Sequence, residues 1–576
     1  MKKNLFFLLI LFFSLPIAAK ERSLSEIKSI AAKYLPSPTG TSAKKAKAIR
    51  TADFTVLHAD EQLTVVGAES DAAGFVIVAN DDAFSPVVGY SDGIFSVKEN
   101  EALAWFVSAA SKSMASMLAD GKVREPLLTS AAPVIEPLLT STWSQSAPFN
   151  NLCPATSAGA AYPCGCVATA MGQIMNYHKY PVQGSGSRQY SFNPGDGQGY
   201  LLSANFGETT YDWDNILDEY KSGAYNDAQA NAVAQLLLHC GVAVEMQYTP
   251  TGSGAYSSEA RAGLIKYFLY NENMTLCYRK YYSLEAWMNL IYSELSADRP
   301  LYYAGSDDSR GGHAFVLDGC DANGLVHINW GWGPTGGNGY FDITLLNPPG
   351  YSFSVGQELI MGIAKPEVTI SYASQIVSDY EFTIASTLKS GGINRITGVS
   401  VGSSIWNLTG ESWAGSLAVV AEKDGAITPL QSRTISNTAN RYNVLSNISE
   451  NFKAIISLAN LTENGTYRIF LAAKSDKDTS WQLVRRGTLT NSYLLTISGG
   501  EVTSLVADTD DTWTSSVSTG IDALNYTDQP GKTLSQSGVY TLQGQKIGES
   551  IEDVKPNYHG VVIQRSGNST KKVVLK

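Results

Sequence analysis

Pro163-Cys164-Gly165-Cys166-Val167-Ala168-Thr169-Ala170 is the stretch on which the fold turns, because it marks a loop becoming a helix. After Cys166 the apolar residues Val167, Ala170, Met171, Ile174 and Met175 recur with helical period, and Pro181 ends the pattern. A thiol at a helix N-terminus faces unpaired backbone N–H groups and the positive end of the helix dipole. Both favour the thiolate, the nucleophilic form. A small structural cysteine at a helix start would look the same in isolation, so the reading depends on partners elsewhere in the chain.

The first partner lies in a hairpin. Gly311-Gly312-His313-Ala314-Phe315-Val316-Leu317-Asp318-Gly319-Cys320 reads as a strand, Asp321-Ala322-Asn323-Gly324 as a tight turn, and Leu325 to Gly333 as the returning strand. A cysteine nucleophile needs an imidazole to hold its proton, and His313 follows two glycines that leave room beside it. If Cys320 pairs with Leu325, His313 faces Trp332 and Trp330 lies two residues along on the same face. Asn329 and His327 then point to the other face, with His327 opposite Asp318. In that register Trp330, not Asn329, flanks the imidazole and shields its ion pair from water. A single bulge would reverse the assignment, and Trp330 and Trp332 could equally be core aromatics. Replacing Asn329 should then cost less than replacing Trp330.

The second partner lies upstream, in Trp143-Ser144-Gln145. Acyl transfer through a thiolate builds negative charge on a carbonyl oxygen, which fixed donors must meet. The backbone N–H of Cys166 is one such donor and the Gln145 side-chain amide a suitable second.

The stretch from about 137 to 366 resembles the streptopain family of cysteine peptidases, a distant branch of the papain-like fold. The resemblance rests on Pro137-Leu138-Leu139, Trp143-Ser144-Gln145, Gly165-Cys166-Val167-Ala168-Thr169-Ala170-Met171, Gln173-Ile174-Met175, Tyr177-His178, Tyr180-Pro181, Gly312-His313-Ala314-Phe315 and Asn329-Trp330-Gly331-Trp332-Gly333. It implies Cys166 as nucleophile, His313 as general acid/base and Gln145 in the oxyanion hole. It also implies Trp330 where papain-like enzymes usually carry an orienting Asn. Cys164 departs from the pattern, and an oxidised Cys164–Cys166 pair would silence the enzyme.

Other candidates carry less. His178 is twelve residues beyond Cys166 and about 120° around the same helix, and reads as structural. His239 and Cys240 are adjacent, so their side chains diverge. His58 and His559 have no recognisable partners. The six cysteines lack zinc spacing, no Gly-rich phosphate loop follows a strand, and Asp508, Asp510 and Asp511 read as a solvated linker. No cofactor or metal is expected.

The chain has 576 residues and a net charge of −11, which argues for several domains and against nucleic acid as a partner. Met1-Lys2-Lys3-Asn4, the apolar run Leu5–Leu15 and Pro16-Ile17-Ala18-Ala19 read as a signal peptide cut after Ala19. The run is too short to span a bilayer. A secreted or cell-surface location follows.

The expected organisation is multidomain: signal peptide 1–19, α+β unit 20–136, α+β papain-like core 137–366, all-β sandwich 367–505, linker 506–520 and a small β domain 521–576. In the first unit a helix over Leu24–Leu35 precedes strands at Phe54–His58, Leu63–Val66, Gly74–Val78 and Pro86–Gly89, then a helix over Ala102–Leu118. It reads as a separate domain. Its place before the core, and the resemblance, imply an inhibitory propeptide, with Gly121–Glu136 as processing linker. Residues 367–505 alternate with strand period at Glu381–Ile384, Ser416–Ala421, Phe452–Ile456, Tyr467–Ala472 and Tyr493–Ile497, resembling immunoglobulin or fibronectin-type modules. Gly538–Ile547, Gly560–Ile563 and Lys571–Lys576 resemble the C-terminal sorting domains of proteins secreted by Bacteroidetes-type bacteria; an ordinary terminal hairpin is the alternative.

Expected partners are protein or peptide substrates, the chain's own propeptide as inhibitor, and outer-membrane secretion machinery. The resemblance implies a self-processing zymogen with endopeptidase activity. Two rivals stay open at this point: an adhesin with an inert core, and an acyltransferase using the same dyad.

Overall fold

The computed structural model describes residues 20–35, 54–68, 74–120, 132–194, 199–307, 311–346, 355–370, 372, 374–439, 443–444, 452–487 and 489–508, and the backbone of four strands beyond residue 537. The expected signal peptide and most of the expected linkers lie outside these residues. No helix among the described residues is long and apolar enough to cross a membrane.

The N-terminal unit holds α1 (Leu24–Ala31), β1 (Phe54–Ala59), β2 (Leu63–Ala68), β3 (Phe75–Ala79), β4 (Val87–Ser91) and α2 (Glu101–Ala119). Ser23 and Glu26 form a capping box that starts α1, and the Asn100 side chain caps α2. The core that follows holds α3 (Cys166–His178), β5 (Ser187–Phe192), β6 (Tyr200–Asn205), α4 (Asp227–Ala243), α5 (Ser257–Lys266), β7 (Thr275–Tyr278), α6 (Leu284–Ser296), β8 (Leu301–Asp307), β9 (Gly311–Cys320), β10 (Val326–Asn329), β11 (Gly339–Phe341) and β12 (Val355–Met361). Helices α3, α4 and α5 share one apolar core with β5 and β6.

The N-terminal unit, expected as a domain of its own, joins its strands to those of the core. One ten-stranded sheet runs β1-β2-β3-β4-β11-β10-β9-β8-β12-β7, so the two units share a sheet. The junction is antiparallel, with Gly89 opposite Phe341, Tyr90 opposite Tyr340 and Ser91 opposite Gly339. One hydrophobic core also crosses it, holding Phe75, Trp105 and Phe106 together with Phe315, Trp330 and Phe341. A pairing across some 250 residues leaves no trace in local periodicity. The expected linker is corrected at its end too: Ile135 bridges Cys320 of β9, and the Cys320 thiol donates to the carbonyl of Pro133.

The hairpin differs from expectation in two respects. Cys320 pairs with Val326, not Leu325, and a bulge between His327 and Ile328 restores the expected register, with Ile328 opposite Leu317 and Asn329 opposite Val316. The returning strand stops at Asn329, after which Gly331, Gly333 and Gly337 take φ of 75°, 81° and 72° and lead the chain out of the sheet.

Beyond the core, strands Trp413–Lys423, Ala426–Thr438, Gly465–Ser475, Ser492–Ser498 and Glu501–Asp508 form one sheet, and two smaller sheets contribute to the same apolar core. Glu381–Ile384, expected as a strand, makes only a single bridge, Thr383 to Ser400. The last strand reaches Asp508, so residues 506–508 of the expected linker are sheet. This region docks on the core: Lys280 pairs with Asp379 at 2.7 Å, Arg261 donates to the carbonyl of Gly410 at 2.7 Å, and Tyr372 donates to buried Glu294 at 2.6 Å. Strands Gly538–Thr541, Lys546–Gly548, Gly560–Ser566 and Ser569–Leu575 form a four-stranded sheet.

Candidate active site

Cys166 opens α3. Gly165 precedes it with φ 93° and ψ 142°, a conformation that favours glycine, and no side chain caps the helix. Met246 and the carbonyl of Ser253 crowd the place where a Cβ on Gly165 would sit. The thiol is therefore held at an uncapped helix N-terminus, partly exposed, while the other five cysteines are buried and free. Cys164 is not disulfide-bonded; its sulfur lies 3.4 Å from Thr169 Oγ1.

His313 lies on β9, opposite Gly305 of β8. Burial pushes the Cys166 thiol up, but the charge and hydrogen bond of His313 outweigh it, helped by the backbone N–H groups of Ala314 and Val167. The thiol ends below its ordinary value. Burial likewise pulls His313 down, and is outweighed by the Cys166 charge and hydrogen bond and by the Trp330 carbonyl, so the imidazole ends above its ordinary value. The two groups stabilise each other's charged forms, and Glu101 of α2 adds to the effect on His313. The other cysteines show the contrast: burial above all pushes Cys153, Cys277 and Cys320 up to about 12.

The imidazole Nε2 lies 3.1 Å from the carbonyl oxygen of Trp330 and 3.4 Å from the indole Nε1 of Trp332. The shorter contact and the raised basicity favour a protonated Nε2 donating to Trp330. The rings beside the imidazole are those of Trp332 and Phe315, with centroids 6.0 and 6.2 Å away. Trp330, expected to flank the imidazole, meets it through its backbone carbonyl. Its ring is fully buried among Phe315, Phe341 and Phe106. The hairpin register, in which Trp332 faces His313, carries the signal for the Trp332 contact.

Gln145 is half-buried, and its carbonyl accepts from the N–H of Cys164 at 3.0 Å, which fixes its segment beside the loop before Cys166. Asn329 turns away from His313, as the register required, and bonds Gln173 and Ser141 instead. His327 bonds Asp318 at 2.6 Å across the hairpin. His178 and His239 sit elsewhere, bonded to the hydroxyls of Tyr270 and Tyr211, and burial lowers each to about 4.

Helix α2 covers this sheet. Trp105 lies against Phe315, with ring centroids 6.3 Å apart, and it occupies the space where a Cβ on Gly305 would go. Phe106 meets Trp330, and the Asn100 side chain donates to the carbonyl of Gly336.

A thiol at a helix N-terminus, coupled to an imidazole on the central sheet and roofed by an N-terminal unit, defines a papain-like cysteine peptidase core with a propeptide-like domain. Residues 143–341 match the Peptidase C10 family and residues 19–114 match the Spi protease inhibitor family. Streptopain of Streptococcus pyogenes is 34% identical over 295 residues, covering 48% of this chain and 72% of that protein. The chain belongs to the Peptidase C10 family, whose members named here are thiol proteases. The thiol protease/hemagglutinin PrtT of Porphyromonas gingivalis is 33% identical over 358 residues, and the match spans 58% of this chain but 40% of that protein. A solved prointerpain A fragment of Prevotella intermedia is 40% identical, covering 54% of this chain and 98% of that one, with a TM-score of 0.49.

Proposed function

We propose that the chain is a secreted or cell-surface cysteine endopeptidase, made as a self-processing zymogen that hydrolyses protein substrates through an acyl-enzyme. The observation that carries this is the mutual charge stabilisation of Cys166 and His313 at an uncapped helix N-terminus.

The Cys166 thiolate attacks the peptide carbonyl carbon, and the oxyanion is held by the Cys166 N–H and the Gln145 side-chain amide. His313, protonated and oriented by the Trp330 carbonyl, gives its proton to the leaving amine. The neutral imidazole then takes a proton from water, and the hydroxide releases the acyl group and restores the thiolate.

The N-terminal unit acts as inhibitor through α2, which lies over β8 and β9 beside His313. Cleavage falls before Pro133, because residues 133–136 are already tied to β9. The region after the core is an immunoglobulin-like module that binds substrate or surface, or acts as a spacer. The last β unit directs passage by outer-membrane secretion machinery, and residues 1–19 are removed first as a signal peptide.

The test is to purify the chain without residues 1–19, as wild type and as Cys166→Ala, and to follow mass in reductant. Wild type should trim itself between residues 121 and 132 while the variant stays whole. Absence of trimming, together with no casein cleavage after an added protease has cut the linker, would overturn the reading.

A further inference from the structure

We propose that Gln173 and Asn329 are positioning residues for the reaction, a buried amide pair that holds three separate site-bearing segments in register. This rests on Gln145 and the Trp330 carbonyl acting as described above. Gln173 lies seven residues beyond Cys166, two turns of α3, and so on the same face about 10 Å along the helix. Its Oε1 accepts from the Ser141 hydroxyl and from the N–H of Trp143, both at 3.2 Å. Its Nε2 donates to Asn329 Oδ1 at 3.1 Å. Asn329 in turn donates to the Ser141 carbonyl at 2.7 Å and accepts from the N–H of Gly331 at 3.2 Å.

The bonds connect three things that catalysis needs together. One is α3, which carries the thiol. Another is the segment Ser141–Gln145, which carries the second oxyanion donor. The last is the turn Asn329–Gly331, whose middle carbonyl accepts from His313. The chain around the pair is braced the same way, with Gly333 N–H donating to the Trp143 carbonyl at 2.9 Å. Gln173, Asn329 and Ser141 are 1%, 2% and 2% exposed. Burying two primary amides is costly unless their groups are paired, and a satisfied network specifies one arrangement more strongly than apolar packing does. Neither residue touches a reacting atom. Each acts through another: Gln173 through Trp143 on Gln145, and Asn329 through Gly331 on the Trp330 carbonyl.

The experiment uses the full chain matured by an added protease, with active thiol titrated. Gln173→Met and Asn329→Leu are near-isosteric and remove the bonds. Each should lower kcat by about 10- to 100-fold with KM within about threefold, as expected for loss of preorganisation and not of substrate binding. In a Gln145→Ala background, Gln173→Met should cost less than about threefold more, because the donor it holds is already gone. Asn329→Leu should also move the alkaline limb of kcat/KM to lower pH, since His313 loses a fixed acceptor and acts only while protonated. The position of that limb does not depend on an oxyanion donor, so it judges the proposal even if Gln145→Ala alone proves harmless and removes the Gln145 assignment. Gln173→Met costing the same factor in both backgrounds, with an unmoved alkaline limb in Asn329→Leu, would reduce the pair to a structural role. Thermal unfolding of each variant, with activity read well below the transition, separates poor folding from poor positioning.

Discussion

The carbonyl oxygen of Trp330 lies 3.1 Å from Nε2 of His313, so the imidazole is oriented by backbone, not by a side-chain amide. A residue that contributes through its main chain tolerates a change of side chain better than one whose ring does the work. Trp330→Phe in the matured enzyme should cost less than about fivefold in kcat/KM. Trp332→Ala should cost about 10- to 100-fold, because water then reaches the ion pair and weakens it. Steady-state hydrolysis of one peptide by both variants checks the order, and equal losses would return the shielding role to Trp330.

The pH dependence follows from the two opposed shifts. Thiolate forms above the lowered value of Cys166, and imidazolium survives up to the raised value of His313. Alkylation of Cys166 by iodoacetamide should therefore proceed at pH values where an ordinary thiol, near 9.0, is protonated. His313→Ala should return the profile to that of a simple thiol. A wild-type profile with a single rise near 9.0 would mean that the ion pair does not form.

Acid should weaken the fold through two other histidines. Burial lowers His178 and His239 from 6.5 to about 4. The unfolded chain therefore takes up protons first as pH falls. Their contribution is complete above 6.5 and is lost as pH falls towards about 4, at up to about 1.4 kcal/mol per pH unit for each. Urea unfolding of Cys166→Ala between pH 7 and 4 should show this slope, and His239→Gln should flatten it by about half. An unchanged slope would place the sensitivity elsewhere.

The sheet junction gives a sharper structural test. A Cβ at Gly339 would collide with the Tyr90 carbonyl and crowd Ser91. In the uncleaved Cys166→Ala chain, Gly339→Ala should lower the unfolding midpoint by several degrees, since it pushes β4 from β11. In the matured enzyme the same change should matter little. Equal destabilisation of both forms would mean that the residue serves the core alone.

How much of this was legible in the residues varies with range. Elements closed by nearby contacts were readable: α3 from its apolar period and Pro181, α2 and β1 to β4 from alternation, and β9 with its turn. The juxtaposition of Cys166 and His313 was readable because thiol and histidine have few substitutes in their chemistry. The hairpin register near the site was also readable, since Asn329 does pair with Val316. The bulge was not, because one extra residue at Asp318–Gly319 leaves the alternation of either flank intact. The early end of β10 at Asn329 was hidden by a pattern that stays aromatic through Trp332, although the run of glycines marked it. The amide pair was invisible, because Gln173 and Asn329 meet across 156 residues and look individually like ordinary polar positions. The joining of β4 to β11 was hidden for the same reason.

That joined sheet has a consequence for the enzyme's history. On the proposed route of maturation, loss of the N-terminal unit would leave β11 as a rim and strip Phe106 from Trp330, Phe75 and Phe106 from Phe341, and Trp105 from Phe315. The active form would then be a remnant whose assembly instructions went with the piece removed. Its persistence would be set by how slowly it opens, not by any balance with the unfolded chain, and its working life would be counted down from a fold made only once.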